Sequence, residues 1–253
     1  MIKALVLYAQ FFTRIPLPFA IDDPGTKFKQ NIQFFSLFGL ILGCLEGLIF
    51  WGWLQVFPTW FAWILFIIGD GIITGGFHLD AFADTADGLF SARTVDKMLT
   101  IMKDSRLGTM GSLALIYFYA IIGGAGIVLA DANFDDLFFV RLAIIMIMIT
   151  KTSACLQFYK MKYAGKGGGL ASIWQGISTW RIVLDQIFAA IVIFLLLGYV
   201  GLISYVAVVI VAIGYRWGIY KLFNGMTGDT VGSFAEIGQI VFLLVFTAIK
   251  INF

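Results

Sequence analysis

The sequence predicts an all-α polytopic membrane protein, with about seven transmembrane helices, an N-terminal interfacial helix and an active site at the cytoplasmic face. Three observations predict it. Hydrophobic residues make up 60% of the chain and charged residues only 13%, where a soluble domain carries roughly 25% charged residues. Apolar runs near the ~20 residues needed to cross a bilayer recur along the 253 residues. The basic residues gather in alternate connecting segments, as they do in polytopic membrane proteins.

The elements follow in order. Residues 1–31 form an N-terminal interfacial segment, whose apolar stretch Met1 to Phe12 carries Lys3. It lacks a small-residue cleavage site and runs directly into Arg14-Ile-Pro-Leu-Pro, so it reads as a retained helix ending before Pro16. Seven spans are expected near 32–57, 60–79, 110–130, 137–158, 183–200, 202–220 and 234–250. Only the Gly198 to Gly201 region separates the fifth from the sixth, so a tight hairpin is required there. Cys44 and Cys155 fall inside apolar runs and read as packing residues, with no disulfide or zinc framework. Residues 1–253 thus read as a single integral-membrane domain, with 80–108 as its acidic and basic catalytic segment.

Charge placement orients the chain. Lys3, Arg14, Lys27 and Lys29 precede the first span; Arg93, Lys97, Lys103 and Arg106 lie between the second and third. Lys160, Lys162, Lys166 and Arg181 lie between the fourth and fifth, and Arg216 and Lys221 flank the end of the sixth. The turns at the other side, near Pro58, Asp131 to Asp136 and Gly198 to Gly201, hold no lysine or arginine. The N-terminus is therefore expected in the cytoplasm and the C-terminus outside. A net charge of +2 is too small to suggest a nucleic-acid partner; the partner is the lipid bilayer. A homo-oligomer is compatible with this reading and is not required by it.

Every polar motif lies on the expected cytoplasmic side, which favours chemistry at that face over transport. In Gly75 to Gly88, three aspartates and the single histidine fall within ten residues. On a helix Asp80, Asp84 and Asp87 are i, i+4 and i+7 and project from one face. Three such charges repel one another unless a cation lies among them, and an oxygen-only set favours Mg2+. Magnesium is commonly shared between carboxylates and phosphates, which suits phosphoryl transfer. The bland alternative, acids favouring a helix start, accommodates one or two such residues better than three.

Other residues extend the site. Lys103 and Arg106 are natural phosphate partners, and Asp104 can complete a metal site; the alternative is that the bases simply mark the interface. His78 is either a general base or donor to substrate, or a structural histidine. Tyr163-Ala-Gly-Lys166-Gly-Gly-Gly169 has the glycine density of a phosphate loop without the P-loop order, and Lys166 is a candidate nucleotide or substrate contact. Asp229, in Thr227-Gly-Asp-Thr230, either caps the last helix or joins the metal site from far along the chain. Glu46 and Asp70 lie inside spans and keep a transport function open, with Lys151 as a partner.

With these residues, the sequence resembles the cobalamin synthase family of adenosylcobinamide-GDP ribazoletransferases. The likeness is carried by Phe11-Phe-Thr-Arg-Ile-Pro-Leu-Pro18, Gly76-Phe-His-Leu-Asp80 through Ala83-Asp-Thr-Ala-Asp-Gly88, Ile101-Met-Lys-Asp-Ser-Arg-Leu-Gly108 and Met226-Thr-Gly-Asp-Thr-Val-Gly232. The sequence departs at Ala81, where the family commonly has glycine. The resemblance implies that adenosylcobinamide-GDP is joined to α-ribazole or its 5′-phosphate, giving adenosylcobalamin or its phosphate plus GMP, with Mg2+ as cofactor. It also implies a location in the prokaryotic plasma membrane. Asp80, Asp84, Asp87, Asp104 and Asp229 are then the expected metal ligands; Arg93, Lys103 and Arg106 the phosphate partners; and His78 or an aspartate such as Asp84 the proton acceptor. Two alternatives are a CDP-alcohol phosphotransferase, whose D-x-x-D-G opening Asp84 to Gly88 fits but whose later spacing fails, and a divalent-cation transporter using Glu46 and Asp70.

Overall fold

The computed structural model describes residues 1–132, 134–165 and 170–252. Its helices are α1 (Ile2–Phe12), α2 (Pro24–Asn31), α3 (Phe35–Leu54), α4 (Thr59–Thr74), α5 (Phe77–Leu89), α6 (Val95–Ile101), α7 (Thr109–Asp131), α8 (Asp136–Gln157), α9 (Thr179–Phe223) and α10 (Gly228–Asn252). There is no strand among the described residues beyond one isolated bridge, Tyr163 to Met226. Several of these helices are long and apolar enough to cross a membrane, so the chain is an all-α polytopic membrane protein.

The 45-residue α9 contains the hairpin that the sequence requires. Gly198 adopts φ 65 and ψ −157, a conformation open essentially to glycine, and breaks the helix there. The Tyr205 hydroxyl donates to Gln186 Oε1. In one straight rod these positions would stand about 28 Å apart at the standard rise. The arms 179–197 and 199–223 therefore run back along each other. Counting both arms with α3, α7, α8 and α10 gives six passes among the described residues; the 16-residue α4 reaches spanning length only together with α5, from which it is bent by 90°.

The second span departs from its expected bounds of 60–79. It ends at Thr74, because Gly75 and Gly76 both take positive φ, 66 and 67, and the chain turns by 90° into α5. At 13 residues α5 is too short to cross a membrane by itself, and with α4 it forms a broken span or a re-entrant segment.

The core is built around α8, which is buried on all sides from Ile145 to Cys155. Gly39, Gly43 and Gly47, one turn apart on α3, let that helix approach α8 closely. A side chain at Gly43 would collide with the Ile144 backbone. The N-terminal helix is tied in by aromatic packing: Tyr8 and Phe12 are buried against Phe28, Phe35 and Phe38. Beyond the named aromatic contacts, Arg181 donates to Gln33 Oε1 at 2.9 Å and fixes the start of α9 to the entry of α3.

Candidate active site

The site begins at the turn before α5. The Arg14 backbone N–H donates to Ile73 O at 2.7 Å, and its side chain lies across Gly75, leaving no room there for another side chain. The N-terminal Phe11 to Pro18 motif thereby braces the turn that redirects the chain into the acidic helix. Phe11 and Phe12 also pack on Phe77, the first residue of α5.

Along α5, small residues face inward and aspartates outward. Ala81, Ala83, Thr85, Ala86 and Gly88 are buried, Asp80 is exposed, and Asp84 and Asp87 are half-buried. The last helix crosses α5 closely: a Cβ built on Gly232 would stand 2.6 Å from that of Ala81. This crossing carries Asp229, three residues before Gly232, to the acidic face. Asp84 feels the charges of Asp80, Asp229 and Asp87, and Asp229 feels Asp80. Burial and those three neighbours push the Asp84 carboxyl up to about 7.

Asp87 has further work. Its carboxylate accepts the N–H groups of Gly108 at 2.7 Å and Gly111 at 2.8 Å, satisfying orphan donors at the start of α7. Side chains at either glycine would strike that carboxylate.

The predicted basic residues separate into different environments. Lys103 is exposed and within electrostatic reach of Asp229. Arg106 is instead engaged by Asp104, through an ion pair of 2.6 Å that holds the Asp104 carboxyl at about 2. Asp104 is thus occupied by its neighbouring cation. Arg93 is exposed at the turn between α5 and α6. Lys166 lies outside the described residues. The segment leading to it is pinned beside α10 by Ala164 N–H to Met226 O at 3.0 Å and Met226 N–H to Lys162 O at 2.8 Å.

His78 is buried, with its ring against Phe12 and Phe77 and its Nε2 without a hydrogen-bond partner among the described residues. It lines a cavity of about 10 Å³ with room for one water. Its ring lies between Phe12 and Phe77 and close to Gly232 of α10.

Among the described residues, no group of three or more His, Cys, Asp or Glu side chains is gathered tightly enough to hold a metal ion by itself. The donor chemistry still fits magnesium. The convergent groups are carboxylates only, and that ion is commonly held by one or two of them with water and substrate phosphate completing the shell.

Four functional or structural polar residues were missed by sequence reasoning. Glu236 joins Asp70 and Glu46 around Lys151 inside the bundle. Asp185 accepts from the Ser36 N–H and hydroxyl, each at 2.7 Å. Both are ionisable residues in apolar runs, the signal that singled out Glu46 and Asp70. Arg216 donates to Gln157 O and Lys160 O and so anchors the segment after α8. Arg14 entered only as a topology marker and as one residue of the Phe11 to Pro18 motif, without a structural role.

Fold and site together define a polytopic membrane protein in which carboxylates from two distant segments meet at one end of a helix bundle. The chain belongs to the cobalamin-5-phosphate synthase family, which it matches over residues 4–247. It is similar to the adenosylcobinamide-GDP ribazoletransferase of Listeria welshimeri, with 40% identity over 242 residues covering 95% of this chain and 96% of the relative. The enzyme of that name from Clostridium novyi is 34% identical, with 98% of each chain covered, and that of Klebsiella pneumoniae 34%, covering 96% of this chain and 99% of its own. No solved structure gives a significant match. The protein is accordingly a transferase of cobalamin biosynthesis, and the lipid-synthesis and transporter alternatives fall away.

Proposed function

We propose that the protein joins adenosylcobinamide-GDP to α-ribazole or its 5′-phosphate, producing adenosylcobalamin or its 5′-phosphate and GMP, with Mg2+ as cofactor. The reaction takes place at the cytoplasmic face of a prokaryotic plasma membrane, the side given by the distribution of lysine and arginine. The observation that carries this reading is the meeting of Asp229 with Asp80 and Asp84 across the α5–α10 crossing.

In this reaction a ribazole hydroxyl oxygen bonds to the phosphorus attached to cobinamide, the bond from that phosphorus to the GMP oxygen breaks, and the hydroxyl proton leaves. An aspartate of this acidic face takes the proton; the near-neutral titration of Asp84 belongs to the metal-free chain and ends when an ion is bound. His78 is a packing residue in this account, held among Phe12 and Phe77. Lys103 meets the negative charge gathering on the departing phosphate. Asp80, Asp84 and Asp229 are the residues that would hold Mg2+, with Asp87 orienting the helix, and the ion supplies neutralisation of phosphate oxygens and of charge in the transition state. The Asp104–Arg106 pair opens if Arg106 engages phosphate.

The test is direct. Purified protein in lipid nanodiscs is supplied with both substrates and Mg2+, and GMP and the cobalamin product are followed by mass spectrometry. Stoichiometric formation of the two supports the proposal; no GMP with either form of ribazole removes it.

A further inference from the structure

The two arms of α9 and the end of α8 line a slot of about 410 Å³. Its walls are apolar through most of its length, with Ile182 and Ala190 contributed by the first arm and Val209 and Ala212 by the second. Tyr205 and Gln186 also line it, hydrogen-bonded to each other between the arms. Val183 and Ile213 are part of the same lining and are exposed, so the slot opens on the outer surface of the bundle, where lipid lies.

At one end the lining changes character. Arg216 and Tyr159 stand there, and the Lys160 ammonium lies 5.4 Å from the centre of the Tyr159 ring. Arg216 donates to the carbonyl oxygens of Gln157 and Lys160, which carry no charge, and neither Arg216 nor Lys160 forms an ion pair among the described residues. Two positive charges therefore stand at this mouth without an anion. Arg181 and Lys221 lie over the rings of Trp180 and Trp217 beside it, the mixture of aromatic and basic residues with which membrane proteins meet the headgroup layer. This is also the end of the bundle that carries the acidic face, since the backbone of Lys162 and Ala164 is bonded to Met226, three residues before Asp229.

We propose that this slot holds a resident anionic phospholipid, with one acyl chain lying between the arms of α9 and the phosphate resting between Arg216 and Lys160. Shape and charge select that occupant. A second copy of the chain would need a broad face of roughly 800 Å², whereas this is a slot of small-ligand size with a cationic mouth. A zwitterionic lipid would bring its own ammonium group to two unpaired cations, and a soluble phosphate would leave the apolar walls uncovered. Anionic lipids give the cytoplasmic leaflet its negative surface potential, and the clustered basic residues assign this end of the bundle to that leaflet. A lipid held in this way is independent of the transfer reaction and of the residues that carry it.

The experiment uses the full chain in nanodiscs of equal parts phosphatidylglycerol and phosphatidylcholine, read by native mass spectrometry. Wild type is expected to retain a phosphatidylglycerol in preference to a phosphatidylcholine by at least about tenfold, as two basic residues at a lipid surface would give. Lys160→Gln should lower that preference about fivefold, the share of one such residue. Ala190→Phe, which puts a ring into the slot, should remove the retained lipid whatever its headgroup. A reading independent of any variant comes from phosphatidylglycerol with a diazirine in one acyl chain. Illumination should label wild-type residues between positions 182 and 213, and excess glycerol 3-phosphate should leave the labelling unchanged, because a free phosphate lacks the chain. Equal retention of the two lipids by wild type overturns the proposal, as does an unchanged preference in Lys160→Gln or unchanged retention in Ala190→Phe. Labelling spread evenly over all the spans, or lost to glycerol 3-phosphate, overturns it as well. Cross-links that join two copies through this stretch would assign the slot to self-association instead.

Discussion

Gly232 on α10 lies against Ala81 on α5, so close that a Cβ at position 232 would stand 2.6 Å from that of Ala81. The crossing joins residues 151 positions apart in the chain, and it is what delivers Asp229 to Asp80 and Asp84. The space for the contact is left by the absence of a side chain at Gly232.

Enlarging Gly232 should separate the two acidic segments. Gly232→Val is expected to reduce GMP release at least about tenfold while the protein still inserts, because overpacking moves backbones apart. Gly232→Ala combined with Ala81→Gly returns the lost methyl space and should recover more activity than Gly232→Ala alone. Steady-state rates on the four members of this cycle check the coupling.

Asp87 is expected to matter for folding as well as for activity. Asp87→Ala leaves the Gly108 and Gly111 N–H groups without their carboxylate, a loss of about 1–3 kcal/mol for buried donors, reduced here by partial exposure. Thermal unfolding in detergent should fall by several degrees. Asp84→Ala, which breaks no hydrogen bond to α7 and removes a repelled carboxylate, should not lower it.

Acidity and metal should trade places at Asp84. Its carboxyl titrates near 7 in the folded chain, against about 3.9 when unfolded. The folded state therefore binds the extra proton between these values, and stability falls as pH rises through that window. Metal-free protein should melt a few degrees lower at pH 8 than at pH 6. Excess Mg2+ should remove most of that difference, and Asp84→Asn should abolish it. Scanning calorimetry or intrinsic tryptophan fluorescence reads all three.

Much of this architecture was legible because the signals are local. Runs of apolar residues mark most of the long helices. The i, i+4, i+7 spacing put Asp80, Asp84 and Asp87 on one face, as α5 bears out. What stayed hidden depends on contacts between distant segments. Asp104 is an exception, since the partner that engages it, Arg106, is only two residues on. His78 is enclosed by Phe12, which no local pattern connects to it. The end of the second span at Thr74 follows from two adjacent left-handed glycines, Gly75 and Gly76, and the apolar run gives no sign of a bend.

The hairpin at Gly198 carries its own expectation. With φ at 65 and ψ at −157, any side chain there is strained by about 1–3 kcal/mol. Gly198→Val should lower yield and destabilise the Tyr205 to Gln186 contact between the arms, whereas Gly214→Ala, where no neighbour lies within 4 Å of an added Cβ, should be tolerated. Fluorescence-detected size-exclusion profiles compare the two.

The most direct measurement is GMP release from adenosylcobinamide-GDP by wild type and Asp84→Asn in nanodiscs, with α-ribazole or its phosphate, with and without Mg2+. The account predicts release by wild type only when Mg2+ is present, and a loss of at least about a thousandfold in Asp84→Asn that folds and inserts normally. Equal release by the variant, or full wild-type release after exhaustive chelation, contradicts it.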